Sequence, residues 1–269
     1  MRTTICLVLI GALLISACKK GDDTDTMAPI PGLTGPRIKS YGYGNRADTT
    51  SLTVTTFNYD VVDTSRILSY KAVSYTGSTF DSAVFDYPVN KNFYTATHYR
   101  ANSIIYKDSI IYNSKHAVLS IYVLYPDQSR SDIVNYFDYN PEGQLEKARY
   151  GILNSNSPSF IVARYEWLNG NIVSLTDSSD PGNVHRSAYS YDLSQPWQVA
   201  SEIGNLTLFG GYGHTSITKN LRTGYNHAEP GTVSTSWSYG FDSKGRVVRM
   251  IELYSNGQNL NDYYRFEYY

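Results

Sequence analysis

Tyr-Phe-Asp-Tyr-Asn-Pro-Glu-Gly-Gln-Leu, residues 136–145, contains an aromatic strand end, a turn and the start of a returning strand. Asn140 and Gly143 suit a type I turn followed by a residue at positive φ, a common hairpin connection. A similar stretch occurs at 239–247. Looser copies begin at Tyr165 and Tyr189. Such a unit cannot bury its own face and must stack on its neighbours, so the repeat predicts architecture and no activity.

Short alternating apolar runs separated by turn residues extend through the rest of the chain, and no stretch shows a sustained helical period. This pattern predicts an all-β protein with one large antiparallel meander, strongly curved or closed into a barrel. The predicted strands are Leu52–Tyr59, Ile67–Tyr75, Thr79–Tyr87, Tyr94–Arg100, Ser103–Tyr112, His116–Tyr125, Ser131–Tyr139, Leu145–Leu153, Phe160–Trp167, Ile172–Asp177, His185–Tyr191, Trp197–Ile203, Ser216–Tyr225, Val233–Phe241, Arg246–Tyr254 and Asp262–Tyr269.

The N-terminus has the plan of a secretory signal: one arginine, an apolar run from Ile5 to Ile15, and small residues before Cys18. The apolar run is too short to cross a bilayer. Leu14-Ile15-Ser16-Ala17-Cys18 resembles the lipobox of bacterial lipoproteins, so Cys18 is the predicted lipid-attachment site. Residues 19–269 contain no cysteine, so no disulfide is expected in the mature domain.

These features divide the chain into a signal peptide (1–17), a flexible tether (18–36) and a single antiparallel β-domain (37–269). The tether is rich in proline and glycine. Its start, Lys19–Asp25, resembles acidic export signals of some outer-membrane lipoproteins. The expected location is the outer membrane by lipid anchor, at the cell surface or otherwise on the periplasmic face.

The charge and tyrosine content of the chain limit the class of binding partner. The chain carries 23 Lys and Arg against 24 Asp and Glu, with no basic block, which argues against nucleic acid. It has 26 tyrosines, a residue that favours strands and surfaces that are half apolar and half wet. The composition therefore favours β-structure first and a binding surface second.

Three stretches, Tyr165–Asp177, Ser216–Tyr225 and Trp237–Tyr269, resemble a family of bacterial lipoproteins catalogued as a domain of unknown function with a porin-like fold. The resemblance covers the second half of the chain best, and it implies an antiparallel, barrel-like domain without a known catalytic residue. The same turns also resemble, more weakly, the tyrosine-aspartate repeats of large secreted shell proteins.

A membrane-spanning barrel is not expected. A lipid-facing strand must present an uninterrupted apolar face, yet 246–254 carries a charge in mid-strand on both faces. In the water-soluble alternative, Tyr264, Phe266 and Tyr268 face a core while Arg265 and Glu267 are solvated.

The chemistry-bearing residues form no recognisable constellation. The five histidines show no metal-ligand spacing, and no cofactor or metal is predicted. The glycine-rich segment at Tyr212 and His214 is followed by no helix that would cradle a phosphate. The candidate ligand-binding residues are therefore aromatic or loop-borne, although a core or cross-strand position explains any single member better: Trp167, Trp197, Trp237, Tyr212 and His214.

Three functions remain open. The first is a non-enzymatic surface module that binds a glycan, a peptide or a protein through aromatic side chains. The second is a structural envelope protein without a diffusible ligand, which predicts no aromatic-lined groove. The third is a hydrolase with dispersed acidic residues, which predicts two carboxylates in one cleft.

Overall fold

The computed structural model describes residues 36–45, 47–126, 132–152, 160–180, 183–203, 217–227, 234–255 and 262–269. Several predicted features lie outside these residues: the signal peptide, Cys18, the tether up to residue 35, Tyr212 and His214. The described chain is all-β, as predicted, apart from one short 3₁₀ helix at Val199–Glu202.

Sixteen strands follow one another along the chain. They are β1 Ile38–Asn45, β2 Thr53–Tyr59, β3 Ile67–Val73, β4 Thr79–Asp86, β5 Phe93–Arg100, β6 Ser103–Tyr112, β7 Val118–Leu124, β8 Ile133–Tyr139, β9 Leu145–Ile152, β10 Ile161–Leu168, β11 Asn171–Asp180, β12 Asn183–Pro196, β13 Asn220–His227, β14 Thr235–Phe241, β15 Val247–Tyr254 and β16 Asp262–Tyr268. Each strand pairs antiparallel with its sequence neighbours, and β1 pairs with β16, which closes the barrel.

The two ends of the barrel are distinct. The first and last strands bring Arg37 and Tyr269 together, where the Tyr269 amide donates to the Arg37 carbonyl over 3.2 Å. We call this the terminal end, and the opposite one the distal end. Even-numbered strands end and odd-numbered strands begin at the terminal end, and the opposite strand ends lie at the distal end.

Buried residues at the beginning of the odd-numbered strands fill the terminal end. Each of the eight odd strands contributes one such residue at its first or second position, and each is at most 2% exposed. Ala200 of the 3₁₀ helix and Ile203, the residue that follows it, join the same core. The eight strand residues are Ile38, Ile67, Tyr94, Val118, Leu145, Ile172, Leu221 and Val247.

A ring of side-chain hydrogen bonds accompanies this core. In seven of the eight hairpins, an aromatic residue near the end of the even strand donates to a carbonyl near the start of the odd strand before it. Several of these aromatic residues lie at a shift of strand register. The pairs are Tyr59 with Ile38, Tyr87 with Ile67, Tyr112 with Lys91, Tyr139 with Val118, Trp167 with Leu145, Tyr239 with Arg222 and Tyr268 with Val247.

The predicted turns are confirmed. Gly143 and Gly245 have φ of 80° and 74°, and the amide of each donates to the carbonyl of the Asx residue three positions earlier. In the looser copy that begins at Tyr165, the Asn169-Gly170 pair also forms a turn: both residues have positive φ, the conformation that a two-residue hairpin loop of the primed type requires.

Strand β1 is absent from the sequence prediction, which has no strand between the tether and Leu52. Its sequence, Ile-Lys-Ser-Tyr-Gly-Tyr-Gly-Asn, is interrupted by glycines and so lacks a continuous strand pattern. The structure explains these glycines: a Cβ atom at Gly42 or Gly44 would lie 2.8 or 2.7 Å from the Leu52 side chain. The glycines therefore let Leu52 cover the strand that closes the barrel.

The predicted strand at Trp197–Ile203 is wrong, because this segment forms the 3₁₀ helix and the residues leading into it. Gln198 attaches the segment to the β14–β15 hairpin. Its Nε2 donates to the Gly245 carbonyl over 2.9 Å, and its Oε1 accepts from the Val247 amide over 2.8 Å. A side chain that satisfies a neighbouring strand in this way takes the place of a ladder pairing.

Several outward positions within the strands of the barrel carry basic side chains. A Lys or Arg facing the middle of a bilayer costs about 2–4 kcal/mol, so this surface is suited to water. Within the described residues, no helix is long and apolar enough to cross a membrane. The outward basic residues are Lys71, Lys107, Lys147, Arg149, Arg164, Arg249 and Arg265.

Candidate functional site

Strand register determines which side chains share the interior of the barrel, because directly opposed residues of paired strands point to the same face. Trp237 opposes Glu252, and Glu252 opposes Asp262. Two residues further along β15 and β16, the buried Met250 opposes Tyr264 on the same inward face. Polar side chains towards the distal end thus continue a face that is apolar towards the terminal end.

Asp262 is a carboxylate of this face that two tyrosine hydroxyls hold in place. Tyr43 Oη donates to its Oδ1 over 3.2 Å, and Tyr254 Oη donates to its Oδ2 over 3.1 Å. The Tyr43 and Tyr264 rings pack beside this carboxylate with centroids 5.0 Å apart. We call these six residues the acidic-aromatic wall: Trp237, Glu252, Asp262, Tyr43, Tyr254 and Tyr264.

Glu252 differs electrostatically from an exposed glutamate. Burial, and then the neighbouring Asp262 carboxylate, raise the pKa of Glu252, while hydrogen bonding from Tyr254 and Trp237 opposes the rise. Burial and the same two carboxylates raise the pKa of Tyr254 and Tyr264. None of the described groups that shift the pKa of Glu252 is a cation.

One cation reaches the edge of this wall. The Arg222 guanidinium carbon lies 4.8 Å from the Tyr189 ring centroid and 5.9 Å from the Trp237 ring centroid. Guanidinium groups at such distances are attracted by the ring faces. Arg222 therefore contacts the rings of both Tyr189 and Trp237.

A second inward cluster lies on β3 to β6. His98 Nε2 lies 3.0 Å from Asp108 Oδ2, and Tyr70 Oη lies 3.5 Å from His98 Nδ1. The Tyr106 ring stacks on the imidazole, with centroids 4.2 Å apart and planes 21° apart. Asp81, on β4, opposes Ala72 and belongs to the same face.

A third inward group joins β12 and β13. The Ser187 hydroxyl lies 2.9 Å from Tyr225 Oη and 3.2 Å from His227 Nδ1. No described carboxylate is hydrogen-bonded to His227 to orient it, as a serine nucleophile with a histidine base requires. We interpret the group as a polar contact within the sheet.

The three predicted tryptophans do not form one platform. Trp237 lies in the acidic-aromatic wall. Trp167 is at the terminal end, where its Nε1 donates to the Leu145 carbonyl over 2.7 Å. Trp197 precedes the 3₁₀ helix, and its buried Nε1 has no hydrogen-bond partner among the described residues.

Trp167 also lines a pocket of about 350 Å³ on the outside of the terminal end. Turn residues Glu142–Leu145 and Gly170 form one side, and Ile217–Lys219 form the other. Because Asn171 and Asn220 beside it are buried and hydrogen-bonded to each other over 3.0 Å, the pocket lies over a satisfied polar contact between strands.

In the described part of the chain, no three His, Cys, Asp or Glu side chains converge as a set of metal ligands. His116, in the β6–β7 turn, is buried, and burial lowers the pKa of its imidazole. It packs edge-on against the Tyr112 ring, with centroids 5.6 Å apart. This histidine is a core residue of the terminal end.

Sequence reasoning did not identify Glu252, Asp262, Asp81 or Asp108 as site residues. A signal for the first two existed, since Glu252 and Asp262 lie two residues from Met250 and Tyr264 on strands with regular alternation. The prediction that Tyr264 and Phe266 face a core while Arg265 and Glu267 are solvated is confirmed. Asp262 therefore belongs to the core-facing side of its strand.

Two solved structures are similar to this barrel. A porin-like protein from Bacteroides uniformis matches with a TM-score of 0.60 and 13% identity, over 86% of this chain and 96% of that one. A porin-like protein from Bacteroides vulgatus matches with a TM-score of 0.57 and 12% identity, over 87% of this chain and 99% of that one. No family model and no curated protein matches the chain. The predicted porin-like fold is confirmed, and at these identities the likeness concerns the fold alone.

Proposed function

We propose that this chain is a non-enzymatic envelope protein that binds a saccharide at the acidic-aromatic wall, inside the distal half of its barrel. The observation that carries the proposal is the arrangement of Asp262, whose two oxygens are each held by a tyrosine hydroxyl beside Trp237 and Glu252. A carboxylate fixed in this way has lone pairs left to accept from ligand hydroxyls.

The chemistry of the wall favours sugars for two reasons. Aromatic rings bind the apolar faces of a ring-shaped ligand, and tyrosine and tryptophan also supply polar groups at their edges. Fixed carboxylates then specify the direction of the ligand's hydroxyl groups. The six members of the wall are all incompletely buried, unlike the sealed terminal end, so solvent reaches them.

The acidic side chains of the wall limit the charge that a bound saccharide can carry. Glu252 and Asp262 face the same space, and an anionic ligand would add negative charge beside two acidic side chains there. Like charges at this separation repel, the more so where burial lowers the effective dielectric. The ligand is therefore neutral or positively charged.

The location proposed for this activity follows from the N-terminal sequence. A signal peptide ending before Cys18 would leave a lipidated N-terminus, and the tether would join it to the terminal end of the barrel. The distal end would then face away from the membrane. Incorporation of labelled palmitate by the native chain and its loss in Cys18→Ser test the anchor, and protease treatment of intact cells tests surface exposure.

A glycan array of neutral, amino and acidic oligosaccharides, probed with the purified protein, tests the saccharide proposal. Binding of neutral or amino glycans is expected, with a loss of at least tenfold in affinity for Asp262→Asn and Trp237→Ala. Glu267→Gln is the matched control, because Glu267 lies on the same strand but faces outward. Equal binding by all four proteins, or no bound glycan, would refute the proposal.

A second candidate function is glycoside hydrolysis, favoured by one observation. Glu252 and Asp262 oppose each other on neighbouring strands, which places their Cβ atoms about 4.5–5.5 Å apart. A carboxyl with a raised pKa beside a fixed carboxylate is the arrangement that retaining glycosidases use. Release of reducing ends from a bound glycan, abolished by Glu252→Gln, would establish this function in place of simple binding.

The remaining alternative, a purely structural protein, predicted a surface without an aromatic-lined groove. The acidic-aromatic wall supports binding over that alternative.

A further inference from the structure

Apolar side chains project from the terminal end of the barrel, beyond the buried residues that fill it. Valines occupy the β2–β3 and β4–β5 turns, and leucines occupy the last position of β10 and an irregular segment of β12. Their exposed fractions lie between 59% and 92%. Single exposed apolar residues are ordinary, but a set of them on one end of a molecule marks an interaction surface. The five residues are Val61, Val62, Val89, Leu168 and Leu193.

An aspartate holds the backbone in place at two of these apolar tips. Asp60 Oδ1 accepts from the Val62 amide over 2.8 Å. Asp192 Oδ1 accepts from the Ser194 amide over 2.9 Å, which fixes the turn that carries Leu193. An aspartate bonded to the backbone two residues further on stabilises a turn. The two tips are therefore ordered before any contact, which reduces the entropy that binding costs.

Basic side chains accompany the apolar tips at the same end. Asp63 pairs with Arg66 over 3.0 Å, and this pair is internally balanced. Four exposed lysines lie in the turns or next to the first residue of a strand, and none of them forms an ion pair with a described residue. Positive charge is thus available beside the tips. The lysines are Lys91, Lys115, Lys219 and Lys244.

The N-terminal part of the chain leads to this end. Strand β1 begins there at Ile38, and Cys18 is the predicted lipid-attachment site. An extended chain spans at most about 3.3 Å per residue, so residues 18–36 would keep the terminal end within about 60 Å of an anchored Cys18. The end of the barrel that carries the apolar tips and the lysines is therefore the end that a lipid anchor would hold near a bilayer.

We propose that the terminal end binds the surface of an anionic lipid bilayer. The valine and leucine tips enter the boundary between headgroups and acyl chains, and the four lysines contact acidic headgroups. Apolar side chains combined with lysines are typical of surfaces that lie in this boundary. This inference goes beyond the saccharide site and does not depend on it. The barrel stands on the membrane with the acidic-aromatic wall directed away from it.

The arrangement of the tips favours lipid over a protein partner. They belong to hairpins on different sides of the ring of strands, from β2–β3 to β12, and so form separate points of contact. A stable protein interface needs a contiguous, well-packed area. A fluid bilayer can surround each tip separately.

Single-cysteine probes measure this contact, because the sequence has no cysteine after Cys18. An environment-sensitive fluorophore is attached to Val62→Cys or Leu193→Cys in the full chain purified from membranes. Tyr75→Cys, in the exposed β3–β4 turn at the distal end, is the matched control, and the native chain labelled in parallel gives the background. In vesicles of phosphatidylcholine and phosphatidylglycerol that carry nitroxide-labelled lipid, both terminal probes should be quenched about fivefold more than the distal probe.

Substitution of the apolar tips tests whether they make the contact. With the fluorophore at Leu193→Cys, the double variant Val61→Ser, Val62→Ser should reduce quenching about threefold. Val84→Ser, at an exposed valine on the outer wall of β4, should leave quenching unchanged.

Substitution of the lysines tests the charge requirement. With the same probe, the double variant Lys91→Gln, Lys115→Gln should reduce quenching about threefold in the anionic vesicles and leave it unchanged in vesicles of phosphatidylcholine alone. Lys71→Gln, on the outer wall of β3, is the control and should have no effect on either kind of vesicle.

Three results would overturn the proposal. The first is equal quenching of the terminal and distal probes, or quenching of neither. The second is quenching of the terminal probes that neither set of substitutions changes, because the anchor alone would then bring this end near lipid. The third is cross-linking of the terminal probes to a second protein molecule in place of contact with lipid.

Discussion

Tyr139 donates from its hydroxyl to the carbonyl oxygen of Val118 over 2.7 Å, linking the last residue of β8 to the first residue of β7. The same relationship recurs in seven of the eight hairpins, with a sequence separation of 21 residues in four of them. It satisfies a carbonyl beside a register shift, where the regular ladder has an interruption.

Tyr139→Phe removes one of these donors without changing the packing of the ring. The Val118 carbonyl, buried at the terminal end, then loses its side-chain partner, and the free energy of unfolding should fall by about 1–2 kcal/mol. Urea denaturation measures the change. Tyr75→Phe, at an exposed turn position, is the control and should leave stability within 0.5 kcal/mol. Equal midpoints for both variants would mean that the bond contributes nothing.

Leu221→Ala tests the buried ring at the terminal end. Leu221 is 1% exposed, and truncating a buried leucine costs about 2–5 kcal/mol through lost burial and the cavity left behind. Leu193→Ala, at a site that is 75% exposed, is the matched substitution and should cost less than 0.5 kcal/mol. Thermal unfolding distinguishes them. A similar small effect at both positions would show that the terminal end is not the packed core of the barrel.

Gly143→Ala tests backbone strain alone. Gly143 has a φ of 80°, and a Cβ atom there meets nothing within 4 Å. Alanine should therefore destabilise the protein by about 1–2 kcal/mol through conformation, and asparagine by less, since it tolerates the left-handed region. Chemical denaturation of both variants measures the difference. Alanine as stable as glycine would exclude positive φ at this position.

Gly42→Ala tests how β1 accommodates its neighbour. The new Cβ atom would lie 2.8 Å from Leu52 Cδ1, so overpacking should cost about 1–3 kcal/mol. Leu52→Ala alone leaves a cavity. In the double variant the added methyl occupies part of that cavity. The loss of unfolding free energy in the double variant should therefore be smaller than the sum of the losses in the two single variants. Strict additivity in this double-mutant cycle would contradict the contact.

Glu252 makes stability depend on pH. Burial and Asp262 raise its pKa in the folded state, so the folded protein retains a proton that the unfolded chain releases. The contribution of the Glu252 carboxyl to stability is fully present at pH values below the ordinary glutamate pKa. It is lost as the pH rises through the raised pKa of the folded state.

Glu252→Gln should accordingly be more stable than the native protein at pH 7, and the difference should disappear towards pH 4. Urea titrations at several pH values measure it, with Glu267→Gln as the exposed counterpart. If the native protein were more stable than Glu252→Gln at pH 7, the stability difference would have the opposite sign, and the conclusion that burial and Asp262 raise the pKa of Glu252 would be refuted.

The sequence predicted the barrel more fully than the site, for physical reasons. Alternation and turn chemistry are local, so strands such as Ser103–Tyr112, and the positive φ of Gly143, could be predicted from neighbouring residues alone. Strand β1 could not, because its glycines are explained by Leu52, which packs on them only after folding. The wrong strand at Trp197–Ile203 has the same origin, since Gln198 binds a hairpin almost fifty residues later.

Prediction of the site residues required the register between paired strands, which local sequence patterns do not determine. Nothing in the sequence indicates that Glu252 opposes Asp262, or that Asp81 and Asp108 share one face across an intervening strand. Of the predicted tryptophans, Trp237 lies directly opposite Glu252, whereas Trp167 donates to a backbone carbonyl at the other end of the barrel.

The side-chain-to-carbonyl hydrogen bond found within seven of the eight hairpins has a consequence for how such barrels can change size. The donor and the acceptor belong to the same two-strand unit. A duplicated hairpin therefore adds, and a deleted hairpin removes, both its own hydrogen bond and its own buried residue at the terminal end. Circumference can then change in steps of two strands, and barrel diameter grows roughly in proportion to strand number. The closed end would be rebuilt each time from the same parts, while the other end is free to be fitted to ligands of different width.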